Sequence, residues 1–184
     1  AYRAVNNLSA EFKANEGGES GKYWQHIGNW NPVSSAGVII SCLISYEDPA
    51  YEAEATYTLA KTIYYLGYNG FTYFTFDGGY RESAGYWCAT IRYAQFCILE
   101  LMNAFGTDFG LRNAPGINIS NYFGSHSESV DNGRWNYHDD GTGVQPSFWY
   151  YMAAEMFDNN DFAILRYQGI RQGKTVDNLD AMFY

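Results

Sequence analysis

Between Trp87 and Phe105 the residues Trp87, Ile91, Ala94, Ile98, Leu101 and Phe105 recur at alternating steps of four and three, the repeat that gathers side chains on one face of an α-helix. Gly106 follows at once, where a left-handed residue closes a helix at little steric cost. Two more helices are marked at their starts. Asn31-Pro32 pairs an Asn able to cap free backbone amides with a Pro suited to the first turn, and Val33, Gly37, Ile40 and Ile44 form the expected buried stripe. Asp48-Pro49 repeats the signal, and Leu59, Ile63 and Leu66 carry the apolar face to Gly67, the expected stop. Further helices are predicted from Ser147 to Phe157, from Asp161 to Arg171 and over Tyr2 to Ala14. Phe71-Thr72-Tyr73-Phe74-Thr75-Phe76 alternates instead, which predicts an extended passage or short strand. The stretch from Asn113 to Val144 is rich in Gly, Asn, Ser and Asp and reads mostly as loop, the kind of segment that often carries function.

Short connections between consecutive helices favour antiparallel helical hairpins. No unit of 20 to 50 residues repeats with matching side chains, so the repetition is architectural rather than a repeat in sequence. The expected fold class is mainly α, with antiparallel hairpins forming a partial or incomplete α/α toroid and a long irregular loop. At 184 residues and 47% hydrophobic content, the chain has material for a real core, and residues 1–184 are expected to form one toroid-like domain. It opens at Ala1-Tyr2-Arg3 and stops at Asp180-Ala181-Met182-Phe183-Tyr184 without obvious start or end signals, so a segment of a longer multidomain chain is expected.

Charge and composition narrow the partners. The formal net charge is −9 and the basic residues are scattered singly, unlike the clustered footprint that nucleic acid requires. No run approaches the ~20 apolar residues of a membrane span. Cys42, Cys88 and Cys97 are odd in number and lack a Cys-x-x-Cys pair, which fits buried free thiols rather than a metal site. Aromatic residues make up 19% of the chain, with 18 Tyr, 12 Phe and 5 Trp. Such rings stack on sugar C–H faces, although a Tyr-rich core or interface would need them equally.

The most specific string is Asp77-Gly78-Gly79-Tyr80-Arg81-Glu82-Ser83-Ala84-Gly85-Tyr86-Trp87, an Asp-Gly turn running into the clearest helix. It resembles the Asp-Gly-x-x-x-Glu-x-x-x-Tyr pattern of the heparinase II/III-like polysaccharide lyases. Upstream, Gly28-Asn29-Trp30-Asn31-Pro32-Val33 resembles the Asn-Trp segment at the corresponding helix entrance of that family. The similarity runs from Asn29 to about Gly110. It implies cleavage of a uronic-acid-containing polysaccharide by β-elimination, an extracytoplasmic location, periplasmic or secreted, and further domains in the same chain; neither a cofactor nor a metal is expected.

On that resemblance, Asn29 neutralises the uronate carboxylate, a role that suits a neutral donor at a helix entrance; bonding to local backbone is the plain alternative. Tyr86 transfers the proton, unless it is simply an aromatic core residue. As a base it would need its phenolate favoured, and Arg81 and Arg92 are the local cations. Many relatives place His after this Tyr where this chain has Trp87, and recruit a second His from a β-rich domain. The second proton-transfer group is therefore open, with His138 and His126 as candidates in the long loop and His26 near Asn29. Glu82 recurs in the family pattern, as an orienting group or as a charge suited to a helix start. Trp30, Asn31, Arg81, Trp87, His126 and Trp135 are candidate substrate contacts. Asn136, His138, Asp139 and Asp140 could gather beside a cleft, but such neighbours rarely converge on one metal ion. Two other functions fit the same chain: an inverting glycoside hydrolase using Glu82 with Asp139 or Asp140, and a non-catalytic carbohydrate-binding helical module.

Overall fold

The computed structural model describes residues 1–15, 22–128, 133–135, 137–141 and 148–171. Among these it contains seven α-helices and no strand longer than an isolated bridge. They are α1 (Tyr2–Ala14), α2 (Trp30–Tyr46), α3 (Glu52–Tyr65), α4 (Ala84–Phe105), α5 (Ser120–His126), α6 (Trp149–Met156) and α7 (Asn160–Arg171). The fold is mainly α, as the hydrophobic pattern requires. The chain divides into two compact units, Ala1–Tyr73 with Phe96–Leu111, and Phe74–Gln95 with Arg112–Tyr184, so α4 contributes its second half to the first unit and its first half to the second.

In the first unit α1, α2 and α3 pack on one another, with α2 and α3 joined through residues 47–51. Val5, Phe12, Trp24, Ile39, Ile98 and Leu101 are buried at its centre, and Phe12 lies 4.4 Å from the Trp24 ring between centroids. The face that α2 buries is not the expected one. Ile40 and Ile44 are 45% and 57% exposed and Gly37 is exposed, while Asn31, Ser35, Val38, Cys42 and Ser45 are buried at the same four-three spacing, out of phase by two residues. Small side chains let helices approach closely, and their hydroxyls need not go unbonded. Ser45 Oγ donates to the Ser41 carbonyl at 2.8 Å and Ser35 Oγ donates to Asn31 Oδ1 at 3.1 Å.

The start and stop signals are also displaced. Asn31 lies inside α2 rather than capping it. Asp48-Pro49 makes a turn before α3, with Asp48 Oδ1 accepting from the Ala50 amide at 2.9 Å. Gly67 does not end α3, which passes at Tyr65 into a π-type turn, Leu66–Gly70.

In the second unit Trp87, Ile91 and Ala94 are wholly buried on one face of α4, as their spacing predicted. The Trp87 indole donates to Ser120 Oγ at 2.8 Å and meets the rings of Phe123 and Tyr150. Helix α6 packs on α7, and α5 on α7. The expected extended passage reduces to one antiparallel bridge, Phe74 with Tyr80, closed by an Asp77-Gly78 turn in which Gly78 has φ +83°. The loop expected from Asn113 to Val144 contains α5, whose Ser120, Asn121 and Gly124 are buried. Packing against Trp87 overrides the weak helix propensity of Ser-Asn-Tyr-Phe-Gly-Ser-His.

Candidate active site

The entrance to α4 is built by the string that singled it out. Buried Ser83 caps the helix, its Oγ accepting from the Tyr86 amide at 3.3 Å. Tyr86 therefore leaves the first turn, on the side reached by residues 137–141. There its hydroxyl donates to Asp139 Oδ2 at 3.3 Å. Asp140, the next residue, accepts from the Gly85 amide at 2.7 Å and from Arg134 Nη2 at 2.9 Å. Tyr137 completes the contact by donating to the Glu82 carbonyl at 2.5 Å. His138, between Tyr137 and Asp139, is exposed with φ +53°, an uncommon backbone conformation for a side chain other than Gly. The second unit thus brings Glu82, Tyr86, His138 and Asp139 together, with Asp140 and Arg134 beneath them.

The electrostatics differ from the sequence-based expectation. Tyr86 was expected to have its phenolate favoured by Arg81 or Arg92. Instead the Asp139 carboxylate, by its charge and its hydrogen bond, pushes the phenol above its ordinary value, and Glu82 and Asp140 add to the effect. Arg92 lies over the Tyr93 and Phe148 rings, 5.4 and 5.7 Å from their centroids, and Arg81 is exposed. Burial raises the Glu82 carboxyl and the charge of Asp139 raises it further, while His138 opposes them. Asp140 goes the other way. Burial pushes it up, but the amides of Gly85 and Gly141 and the Arg134 guanidinium outweigh that and leave it below the ordinary carboxylate range.

Two expected substrate contacts are core residues. Trp87 is fully buried with its indole nitrogen bonded to Ser120, so it holds the helix in place rather than meeting a ligand. Asn31 is fully buried, its amide donating to the carbonyls of Trp24, His26 and Tyr65 at 2.9, 3.3 and 3.3 Å. Asn29, in the first unit, is half-buried at the head of α2 and makes no capping bond from its side chain. Trp30 beside it is 67% exposed, and His26 is exposed. In the second unit Trp135 is 66% exposed, whereas His126, exposed at the end of α5, has its Nδ1 2.7 Å from the Tyr122 carbonyl oxygen. Asn136 lies outside the described residues.

Sequence reasoning missed Arg134 and Tyr137. The available signal was a lone cation six positions before Asp140 in a segment otherwise poor in basic residues. The three cysteines are free thiols; Cys42 and Cys97 are buried and Cys88 half-buried, and burial raises all three above the ordinary thiol range. No helix among the described residues is long and apolar enough to cross a membrane, and no group of three metal-ligating side chains forms among them. Neither a scan against protein-family models nor a search of curated proteins finds a match for this chain.

Proposed function

We propose that this protein cleaves a uronic-acid-containing polysaccharide by β-elimination, with Tyr86 giving its proton to the departing glycosidic oxygen. The observation that carries the proposal is the Tyr86 phenol, a reachable hydroxyl at the mouth of α4 kept in its protonated form by Asp139, Glu82 and Asp140. A neutral phenol is a proton donor, so the role is that of acid rather than of base. The exposed imidazole of His138, on the loop that supplies Asp139, suits the base. In the step, the C5–H bond gives its proton to the imidazole, its electrons form the C4–C5 double bond, the C4–O bond breaks, and the leaving oxygen takes the phenol proton. The imidazolium or solvent then reprotonates the phenolate. Asn29, an uncommitted amide donor at a helix head, is assigned to the uronate carboxylate as a separate element of the proposal. An anionic polysaccharide as partner, an extracytoplasmic setting and further domains in the same chain belong to the same proposal.

The test is a panel of uronic-acid polysaccharides followed by the ultraviolet absorbance of unsaturated uronate products. Loss of a general acid costs about 10²–10⁴-fold, so Tyr86→Phe is expected to fall by that factor, and Asn29→Ala and His138→Ala to fall as well. Parental turnover in Tyr86→Phe would end the proposal.

One observation favours hydrolysis instead. Glu82 is raised by burial and by Asp139, the pattern of a carboxyl acid beside a carboxylate base. An inverting hydrolase would release sugars without the unsaturated absorbance and would be silenced by Glu82→Gln.

A further inference from the structure

The residues that place Asp139 beside Tyr86 lie outside the proton-transfer groups. Three donors converge on the Asp140 carboxylate: the Gly85 amide at 2.7 Å, the Gly141 amide at 2.7 Å and Arg134 Nη2 at 2.9 Å. Gly85 is in the first turn of α4, whereas Arg134 and Gly141 flank the 137–140 segment, so one carboxylate ties that segment to the helix. The tie is sheltered, with side-chain exposures of 15% for Arg134 and 6% for Asp140. A sheltered, charge-assisted bond set resists thermal fraying better than an exposed pair. A Cβ at Gly85 would overlap the Asp140 carboxylate, so the bond set in its present position leaves room for Gly alone there.

We infer that Arg134, Asp140 and Gly85 form a positioning latch that docks the 137–140 segment on the α4 entrance and thereby sets the Asp139 carboxylate against the Tyr86 hydroxyl. The latch touches no reacting atom. It acts through Asp139, and Tyr137 on the Glu82 carbonyl is a second tie on the same segment. It concerns the assembly of the site and holds for elimination and hydrolysis alike.

Charge and position can be separated by the sign of one measurement. Tyr86 is followed by carbon-13 NMR of protein labelled at tyrosine Cζ, its signal assigned with Tyr86→Phe, and titrated through the phenol range. Asp139→Asn is expected to lower the Tyr86 pKa towards the ordinary tyrosine value of about 10. Arg134→Gln deletes a cation, which by charge alone would move Tyr86 upward. If the latch holds Asp139 in place, Arg134→Gln moves Tyr86 downward instead, and Arg134→Lys, which keeps a charged donor, restores part of the parental value. Gly85→Ala leaves every charge in the chain unchanged, and by evicting the Asp140 carboxylate it is also expected to move Tyr86 downward. A variant that loses stability while Tyr86 stays put, or moves up, overturns the latch, as does a Tyr86 titration indifferent to Asp139→Asn. Turnover is not read, so failure of the proposed reaction leaves the outcome unaffected.

Discussion

Glu100 provides a test of the core with a defined sign. It lies on the second half of α4, in the first unit, and burial lifts its carboxyl from 4.5 to about 7. Its Oε2 is buried without a hydrogen-bond partner among the described residues. In the unfolded chain the group ionises near its ordinary value, so between about pH 4.5 and 7 the unfolded state releases a proton that the folded state keeps. Folding stability attributable to Glu100 is therefore greatest below about pH 4.5, declines as pH rises, and is fully lost above about 7. A shift of this size in a wholly dry site would be worth about 3 kcal/mol, and partial solvent contact reduces it to about 1–2 kcal/mol. Glu100→Gln removes the ionisation without changing shape. Relative to the parent, the variant is expected to gain about 1–2 kcal/mol between about pH 5 and pH 8, a rise in Tm of about 2–4 °C per kcal/mol for a chain of this length. Thermal melts followed by circular dichroism at both pH values, on parent and variant, measure the difference. Carboxylates with lowered values, such as Asp140, lose their contribution on the acid side in both proteins and cancel. Parent and variant curves that stay parallel across this range would refute the assignment.

Asn31→Ala is expected to cost about 2–4 kcal/mol in urea unfolding, because three carbonyls and the Ser35 hydroxyl lose their partner in a dry site. Asn29→Ala, two residues away, should fall within about 0.5 kcal/mol of the parent, so any loss of turnover there is chemical. A Cβ at Gly124 would overlap the edge of the Trp87 ring and the Tyr150 hydroxyl, and Gly124→Ala should cost at least about 2 kcal/mol with a change in the near-ultraviolet tryptophan signal. If Tyr86 is the acid, activity should persist to a pH above the ordinary phenol value and fall beyond it. Activity that instead rises through the phenol ionisation would make Tyr86 the base.

Helix α4 was legible because its core contacts are large: Trp87, Ile91, Ile98 and Leu101 advertise their face by hydrophobicity alone. The buried side of α2 was not, since it is made of small residues such as Ser35, Cys42 and Ser45, and the two serine hydroxyls are bonded within the helix. The isoleucines that mimicked a core stripe, Ile40 and Ile44, stand on the other face. Helix α5 had no periodic signal. It exists because Ser120 meets the Trp87 indole and Gly124 makes room for that ring, a contact across 33 positions of sequence for the hydrogen bond. In the same way, the Asp-Gly turn, Glu82 and Tyr86 could be read from one string, while the group that fixes the phenol's protonation, Asp139, lies 53 positions downstream.

That distance explains why the residues around Tyr86 in sequence suggest the opposite direction of shift for its phenol. Arg81 and Arg92 are the cations nearest Tyr86 in sequence, and a phenol among cations is suited to act as a base. Folding sends one of those cations over aromatic rings, leaves the other exposed, and brings in a loop whose own arginine is already engaged by Asp140. What acts on the phenol is the negative charge of Asp139, with Glu82 and Asp140 behind it, which stabilises the neutral form. In the elimination proposed above, the uronate carboxylate is borne by C5, next to the C4 that carries the leaving oxygen, so the charge that keeps a proton ready on Tyr86 for the leaving oxygen also works against the neighbouring carboxylate.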